Sequence, residues 1–242
     1  MSQAKAQHAA LNAGSVKADG ALMLAGVTLH ADVAGVLYWP EKGMLAVADL
    51  HLEKGSSFAE RGVLLPPYDT AATLGRLGAL IARYSPRLVV ALGDSFHDRR
   101  GPARLADTDR ATLKAMQRGR DWVWIAGNHD PDPAENIGGR FLPMLKIDVL
   151  TLRHEPGGEE SGEIAGHLHP VARVARRGRA VSRRCFATDG VRLVMPAFGA
   201  YTGGLNVRDR AFANVFSTLT FTAHMLGLER VYAVAAKHCL PD

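Results

Sequence analysis

Short apolar runs and helix-like spacings of leucine alternate along the first half of the chain. The apolar runs predict strands, and apolar residues three or four positions apart predict helices between them. Residues 27–39 and 44–48 flank a Pro-Glu-Lys-Gly turn and predict a hairpin. The following elements are then expected: a polar loop at 53–62, a helix at about 66–84, a strand at 88–92, a helix at about 103–118 and a strand at 122–126. Such alternation predicts a parallel sheet with crossover helices.

Short β-prone segments without helical spacing dominate the second half. They are expected at 149–152, 164–165, 180–182, 191–195 and 231–234. Their spacing predicts antiparallel or mixed β-structure rather than further βαβ units. Residues 1–20 lack periodicity and are expected to form a flexible tail, whereas residues 21–242 show no linker or repeat and are expected to form a single domain.

The composition limits the class of protein but does not indicate a function. The 242 residues are 47% hydrophobic and 22% charged, as in an ordinary globular protein. The net charge of +5 permits a polyanionic partner but does not require one. Only two cysteines are present, and no apolar run or N-terminal hydrophobic segment predicts a membrane span or a signal peptide. We therefore expect a reduced, cytoplasmic protein with no membrane contact.

The candidate chemistry lies where predicted strands end. The tetrapeptide Gly127-Asn128-His129-Asp130 follows the strand at 122–126, and the carboxyl ends of strands in open α/β sheets are where ligands bind. The same residues before Pro131 are also typical of a turn, so this stretch alone decides nothing. Further oxygen and imidazole donors follow other predicted strands, at Asp49, His51, Asp94, His154, His167 and His169.

These side chains share a donor chemistry that suits divalent cations. None is a thiol, and mixed nitrogen and oxygen donors favour manganese, iron or zinc over an iron–sulfur cluster. They are too many for one tetrahedral ion and fit two ions that share a carboxylate. A two-metal site of this kind promotes in-line displacement at phosphorus. An unliganded histidine would then donate a proton to the leaving group.

The order of the blocks resembles that of the calcineurin-like metallophosphoesterase superfamily. The blocks are Asp-x-His, Gly-Asp, Gly-Asn-His-Asp, His and Gly-His-x-His, and the resemblance extends from about residue 27 to residue 234. It implies an α/β fold, a four-layer αββα sandwich with mixed sheets. The resemblance also implies the ligands: Asp49, His51, Asp94 and His169 for one ion, and Asp94, Asn128, His154 and His167 for the other. His129 would act on the leaving group or the phosphoryl oxygens, and Asp130 would orient it.

One block departs from the superfamily pattern, which often reads Gly-Asp-x-x-Asp. Here His97 takes the place of the second acid, and we regard it as a candidate for contact with a substrate phosphate. Arg99 and Arg100 are further candidates, because guanidinium groups bind phosphate in bidentate geometry. Six arginines between residues 173 and 184 suit either phosphate contacts or a solvated hairpin.

Neighbouring residues are similar to a narrower family, the ligase-associated DNA-damage-response endonucleases called PdeM. The segments that carry this resemblance are 48–55, 65–69, 93–97, 153–156 and 195–199. It implies a manganese-dependent phosphodiesterase or endonuclease that cleaves DNA in bacterial repair, beside a DNA ligase, an exonuclease and a helicase. Two alternatives remain. One is a phosphoesterase for a small molecule, such as a cyclic nucleotide or a nucleotide-sugar lipid, and the other is a non-catalytic scaffold.

Overall fold

The computed structural model describes residues 20–132, 136–157, 161–216 and 220–242. The first sheet comprises β1 (Ala21–Leu24), β2 (Val27–Ala31), β3 (Leu37–Trp39), β4 (Met44–Val47), β5 (Leu88–Leu92), β6 (Asp121–Ile125) and β7 (Arg140–Leu142). The α-helices are α1 (Lys54–Glu60), α2 (Asp69–Tyr84), α3 (Gly101–Arg104) and α4 (Asp107–Gln117). The second sheet comprises β8 (Met144–Ile147), β9 (Leu150–Arg153), β10 (Glu163–Ala165), β11 (Pro170–Arg176), β12 (Arg179–Thr188), β13 (Arg192–Val194), β14 (Leu205–Asn206), β15 (Thr222–Leu226) and β16 (Val231–Ala235).

The first sheet changes from antiparallel to parallel pairing at β4. Its strands lie in chain order, antiparallel from β1 to β4 and parallel from β4 to β7. Helices α1 and α2 connect β4 to β5, and helices α3 and α4 connect β5 to β6. The predicted parallel sheet with crossover helices is confirmed, and the carboxyl ends of β4, β5 and β6 therefore lie at one edge.

The second sheet is mixed, as its short and closely spaced segments predicted. The order is β14-β11-β12-β13-β10-β9-β8, and β15 and β16 extend it from β12. Strands β9, β10 and β13 pair in parallel, whereas β11, β12, β15 and β16 pair antiparallel. The parallel alignment of β9 and β10 brings the segments that follow them to the same edge.

Apolar side chains fill three interfaces and so define four layers. Between the two sheets, side chains such as Leu92 and Ile125 pack against Leu152 and Phe186. The opposite face of the first sheet packs against α2 and α4, and the outer face of the second sheet is covered by 3-10 turns at Arg210–Asn214 and Ala236–His238. The αββα order is confirmed. Within the described ranges, no helix combines the length and apolarity that a membrane span needs.

Two predicted elements were wrong in detail. The segment 53–62 was expected to be a polar loop, but it contains helix α1. Contacts from α2 hold this helix, because the Thr70 hydroxyl donates to the Glu53 carboxylate and the Gly55 N–H donates to Asp69. Such tertiary contacts leave no periodic signal in the sequence.

The helix expected at 103–118 is interrupted. Leu105 adopts extended backbone between α3 and α4. The strand expected at 180–182 is only part of the longer β12, and β1, β7, β8, β11, β14 and β15 were not predicted. The expected flexible tail lies outside the described residues, except for Gly20.

Candidate metal centre

The two sheets bring the predicted donors to one edge. Asp49 and His51 follow β4, Asp94 follows β5, Asn128 and His129 follow β6, His154 follows β9, and His167 and His169 follow β10. An isolated bridge between Ala48 and Ala197 connects the two sheets beside this edge. The donors therefore come from strands of both sheets that end at a common place.

The donors form two adjacent trios. The ligand atoms of Asp49, His51 and His169 lie within 4.8 Å of one another, and so do those of Asp94, His154 and His167. Asp94 also faces the first trio, since its Oδ2 lies 3.8 Å from His51 Nε2. Its position between the trios is the one that a carboxylate shared by two ions would need.

Three polar atoms converge around the Nε2 atom of His154. They are Asn128 Oδ1 at 2.9 Å, His167 Nδ1 at 3.3 Å and Asp94 Oδ1 at 3.4 Å. The other ring nitrogen, Nδ1, donates to the Leu92 carbonyl at 2.9 Å. A hydrogen bond from one ring nitrogen to a backbone carbonyl is typical of a histidine that offers its other nitrogen to a metal.

Several buried nitrogens at the site make no hydrogen bond within the described part of the chain. Both ring nitrogens of His51 and Nε2 of His169 are in this group, although the latter lies 3.3 Å from Asp49 Oδ1. Buried polar atoms of native proteins are nearly always satisfied. The unpaired nitrogens and nearby carboxylates therefore form a donor set that suits divalent cations.

The ligand-bearing turns adopt backbone that side chains usually avoid. Positive φ values occur at Asp49, His51, Asp94, His167 and His169, between 43° and 68°. Left-handed backbone costs a non-glycine residue roughly 1–3 kcal/mol and is concentrated at functional sites. At this edge, local strain accompanies the placement of the donors.

Glycines before the donors leave room for close packing. A Cβ on Gly93 would lie 2.4 Å from the ring of His154, and one on Gly127 would lie 2.2 Å from the amide nitrogen of Asp94. The absence of a side chain at each glycine therefore lets two segments of the site approach each other closely. This contact explains why glycine precedes Asp94 and Asn128.

Burial and neighbouring charges shift the pKa values of residues in the two trios. Although burial alone would raise it, the hydrogen bond and charge of His154 lower the pKa of Asp94 to about 2. For His154, burial opposes the charged form, but Asp94 and Asp49 raise its pKa to about 9. Burial lowers the pKa of His51 to about 3, so this ring is neutral at pH 7.

His129 stands at the margin of the trios with its ring held by backbone. The backbone N–H of His129 donates to Asp94 Oδ1 at 2.9 Å, and the ring Nδ1 lies 2.8 Å from the His97 carbonyl oxygen. The Nδ1 atom donates this bond, because a carbonyl can only accept. Nε2 lies 3.9 Å from Asp94 Oδ2, and 41% of the side chain is exposed. The ring therefore leaves Nε2 unengaged by the His97 carbonyl, on a side chain that solvent reaches.

The contacts of Asp130 differ from those expected for the role that the resemblance implied, which was to orient His129. Its Oδ2 accepts hydrogen bonds from the N–H groups of Ser95 and Phe96, at 2.8 and 3.1 Å. The carbonyl of His97, rather than this carboxylate, orients His129. Burial raises the pKa of Asp130 to about 7. Its contacts fix the loop after β5, which carries both Asp94 and His97.

A cleft of about 640 Å³ opens beside His129. Its lining comprises Ser57, Glu60, Arg61, Asp98, Arg99, Arg100, Asn128 and His129. Arg99 and Arg100 are 70% and 77% exposed, and their ion pairs with Asp132 and Glu60 are 3.5 and 3.2 Å long. Exposed ion pairs are weak, so these guanidinium groups are free to bind other anions. The predicted arginines thus reach the site.

The predicted His97 and the unpredicted Arg61 lie on the same side of the centre. The His97 ring stacks on that of His129 at 5.5 Å. Burial lowers the pKa of His97, and the charges of Lys54 and Arg61 act in the same direction. Arg61 follows α1 and belongs to no motif, so its sequence position gave no reason to place it here.

The six arginines between residues 173 and 184 do not share one place, and Arg173 donates to the Pro241 carbonyl at 3.1 Å. Arg184 points inward and donates to the Ala197 carbonyl at 2.8 Å. Arg176 and Arg183 line another cleft, together with Leu228 and Tyr232. None of the cluster's arginines lines the cleft beside His129.

Comparison with known proteins gives a family match and similar solved structures. A family model described as calcineurin-like phosphoesterase matches residues 44–177, a range that contains every predicted site residue. The crystal structure of Pseudomonas putida nuclease MPE has a TM-score of 0.68 and 29% sequence identity, covering 88% of this chain and 98% of that chain. No curated protein matches the chain significantly.

Proposed function

The chain belongs to the calcineurin-like phosphoesterase family and is a metal-dependent phosphoesterase, and we propose that it hydrolyses the phosphodiester backbone of DNA as an endonuclease. The paired trios that share Asp94 carry the proposal, because they provide donors for two cations beside a partly exposed histidine. The similar structure, titled a nuclease, supports a nucleic-acid substrate.

We assign the donors to two ions. Asp49, His51, Asp94 and His169 would hold one, and Asp94, Asn128, His154 and His167 would hold the other. The unpaired nitrogens of His51 and His169 fit this assignment. We propose manganese as the native metal; iron and zinc fit the same donors. When bound, such ions supply hydroxide at neutral pH and stabilise the attacking and leaving oxygens.

His129 is the proposed general acid. Its Nδ1–H is engaged by the His97 carbonyl, so the other ring nitrogen, Nε2, is the atom that would hold and deliver a proton. In the protonated ring, Nε2 would donate to the leaving oxygen or to a phosphoryl oxygen. Asp130 acts indirectly in this proposal, since it anchors the loop that supplies the orienting carbonyl.

His97, Arg99 and Arg100 are proposed contacts for substrate phosphates, and Arg61 joins them. All three arginines line the cleft that leads to His129. A polymer bound in this cleft would place successive phosphates beside the arginines. A series of phosphates would exchange with the weak ion pairs of Arg99 and Arg100.

We extend the proposal to cytoplasmic DNA repair in bacteria, beside a DNA ligase, an exonuclease and a helicase. This part rests on the resemblance of the segments around the site to the PdeM family. We also propose one domain over residues 21–242, because this part of the sequence shows no linker or repeat.

Hydrolysis assays with added manganese test the substrate class. We expect the purified chain to cleave circular DNA, which requires internal incision, and also the small diester bis-p-nitrophenyl phosphate. Cleavage of the small ester without any DNA cleavage would instead favour a small-molecule phosphoesterase. Loss of both activities, with less than two equivalents of bound metal, would favour a scaffold.

A further inference from the structure

The hairpin of β11 and β12 offers a surface that the proposed hydrolysis does not use. We propose that an acidic, extended segment of a partner protein binds here by adding a strand beside the first part of β12. This proposal is independent of the metal centre. It concerns a cleft of about 510 Å³ on the outer face of the second sheet.

A strand position is vacant along β12. Strand β15 pairs with β12 only from Cys185 to Thr188, after which β15 turns back into β16. Residues 179–184 pair with β11 on their other side. Within the described ranges, no strand continues the line of β15 along this part of β12.

Backbone groups of β12 point into that vacant position. In β11, the Val171 and Arg173 carbonyls accept hydrogen bonds from the N–H groups of Val207 and Leu240, so the backbone groups of these two residues point away from β12. The backbone N–H and C=O groups of residues 172, 174 and 176 therefore point towards β12, where their partners are residues 183, 181 and 179. Because strand residues alternate between edges, Ala180 and Ser182 direct their N–H and C=O groups to the free edge.

The adjoining cleft provides an apolar floor. It is lined mainly by Val174, Val181, Met225, Leu228, Tyr232 and Val234. Leu228 is 95% exposed and Tyr232 is 43% exposed. An added strand would place alternate side chains on this floor while its backbone pairs with β12, which is the usual form of β-strand addition.

The rim of the cleft determines the charge of the partner. Arg176 and Arg179 face each other in the register, and Arg183 lies on the same face. Glu229 is the only acid among the described lining residues. This excess of positive charge complements a strand whose other side chains are acidic.

The same charge disfavours two other occupants. A second copy of β12 would bring arginines against arginines, and like charges on paired strands destabilise the pairing. Residues 1–19 contain two lysines and one aspartate, so they do not complement the rim. A partner of opposite charge fits better than either segment of this chain.

The cleft also fits protein better than nucleic acid. Its floor is mostly aliphatic, and its single aromatic ring, Tyr232, has the Arg230 guanidinium 4.7 Å from its centroid. Single-stranded nucleic acids usually bind to exposed aromatic platforms. A backbone edge beside aliphatic side chains is instead typical of peptide binding.

Fluorescence anisotropy with the full chain tests the proposal. The probe is a short labelled peptide in which glutamate and valine alternate, and the control peptide has lysine in place of glutamate. We expect the acidic peptide to bind at least about tenfold more tightly than the basic one. No anisotropy change up to the solubility limit of the acidic peptide would overturn the proposal.

Two variants at one position distinguish strand addition from non-specific attraction. Ser182→Pro removes an N–H from the free edge and leaves the ladder with β11 intact, so we expect about tenfold weaker peptide binding. Ser182→Ala retains the N–H and should bind like the wild type. Equal affinity in both variants would exclude a strand. Leu228→Asp, at an exposed position, should also weaken binding, because it places a charge on the apolar floor.

Competing occupants give their own results. A dimer detected by light scattering and lost in Ser182→Pro would replace the proposal with self-association. Displacement of the peptide by a single-stranded oligonucleotide, dependent on Arg176, would replace it with nucleic-acid binding. Hydrolysis of bis-p-nitrophenyl phosphate should be unchanged in the Ser182 and Leu228 variants, so failure here is distinct from failure of the proposed phosphoesterase site.

Discussion

The sheet edge that carries the candidate metal donors, here called the metal edge, differs in construction from the β11–β12 hairpin. The hairpin runs through six consecutive residue pairs, and its positive φ values are confined to the turn residues Arg177 and Gly178. At the metal edge, five donor residues have positive φ, and buried ring nitrogens lack hydrogen bonds within the described residues. Strain and unsatisfied groups thus occur where donors must converge, whereas the hairpin is built by regular strand pairing.

The largest expected effect separates the two roles at the metal edge. Asp94→Ala should lose metal occupancy and reduce hydrolysis by at least about 10³-fold, because it removes the carboxylate between both trios. His129→Ala should retain both metals and reduce turnover by about 10²–10⁴-fold. Elemental analysis and steady-state kinetics measure the two quantities. Equal loss of metal in both variants would contradict the division of roles.

A smaller effect tests whether close packing at this edge requires glycine. Gly93→Ala places a Cβ against the His154 ring at a position with φ of +70°, so we expect a loss of about 2–5 kcal/mol in the free energy of unfolding. Gly119→Ala is the matched control, since φ is +73° there and nothing lies within 4 Å. It should cost only about 1–2 kcal/mol. Similar losses in urea unfolding of both variants would mean that the His154 contact is unimportant.

The smallest effect compares arginines of the two regions. Arg100→Ala removes a proposed phosphate contact in the cleft, and the slope of log affinity for DNA against log salt should fall by about 1. Arg179→Ala on the hairpin should leave that slope unchanged. Binding is measured in the His129→Ala background, in which turnover is expected to be low. A larger change in this slope for Arg179→Ala than for Arg100→Ala would indicate that DNA binds to the hairpin instead of the cleft.

Sequence patterns predict the elements that local burial produces and miss those that contacts between distant segments hold. The parallel order of β4, β5 and β6 followed from apolar runs that alternate with helical spacing, because both patterns report local burial. The tetrapeptide at residues 127–130 remained ambiguous between turn and site until the other strand ends were considered. Helix α1 was missed because hydrogen bonds from α2, rather than its own apolar spacing, hold it.

Sequence alone identified the candidate donors and the strands that precede them, because residue type and short-range periodicity are local properties. It also placed glycines before Asp94 and Asn128, although their steric reason required the structure. Only the tertiary structure decided that the His97 carbonyl holds His129, that Asp130 anchors the loop after β5, and that Arg61 joins the cleft. Each of these contacts joins segments that are distant in the chain, and their geometry depends on how the strands, helices and loops pack.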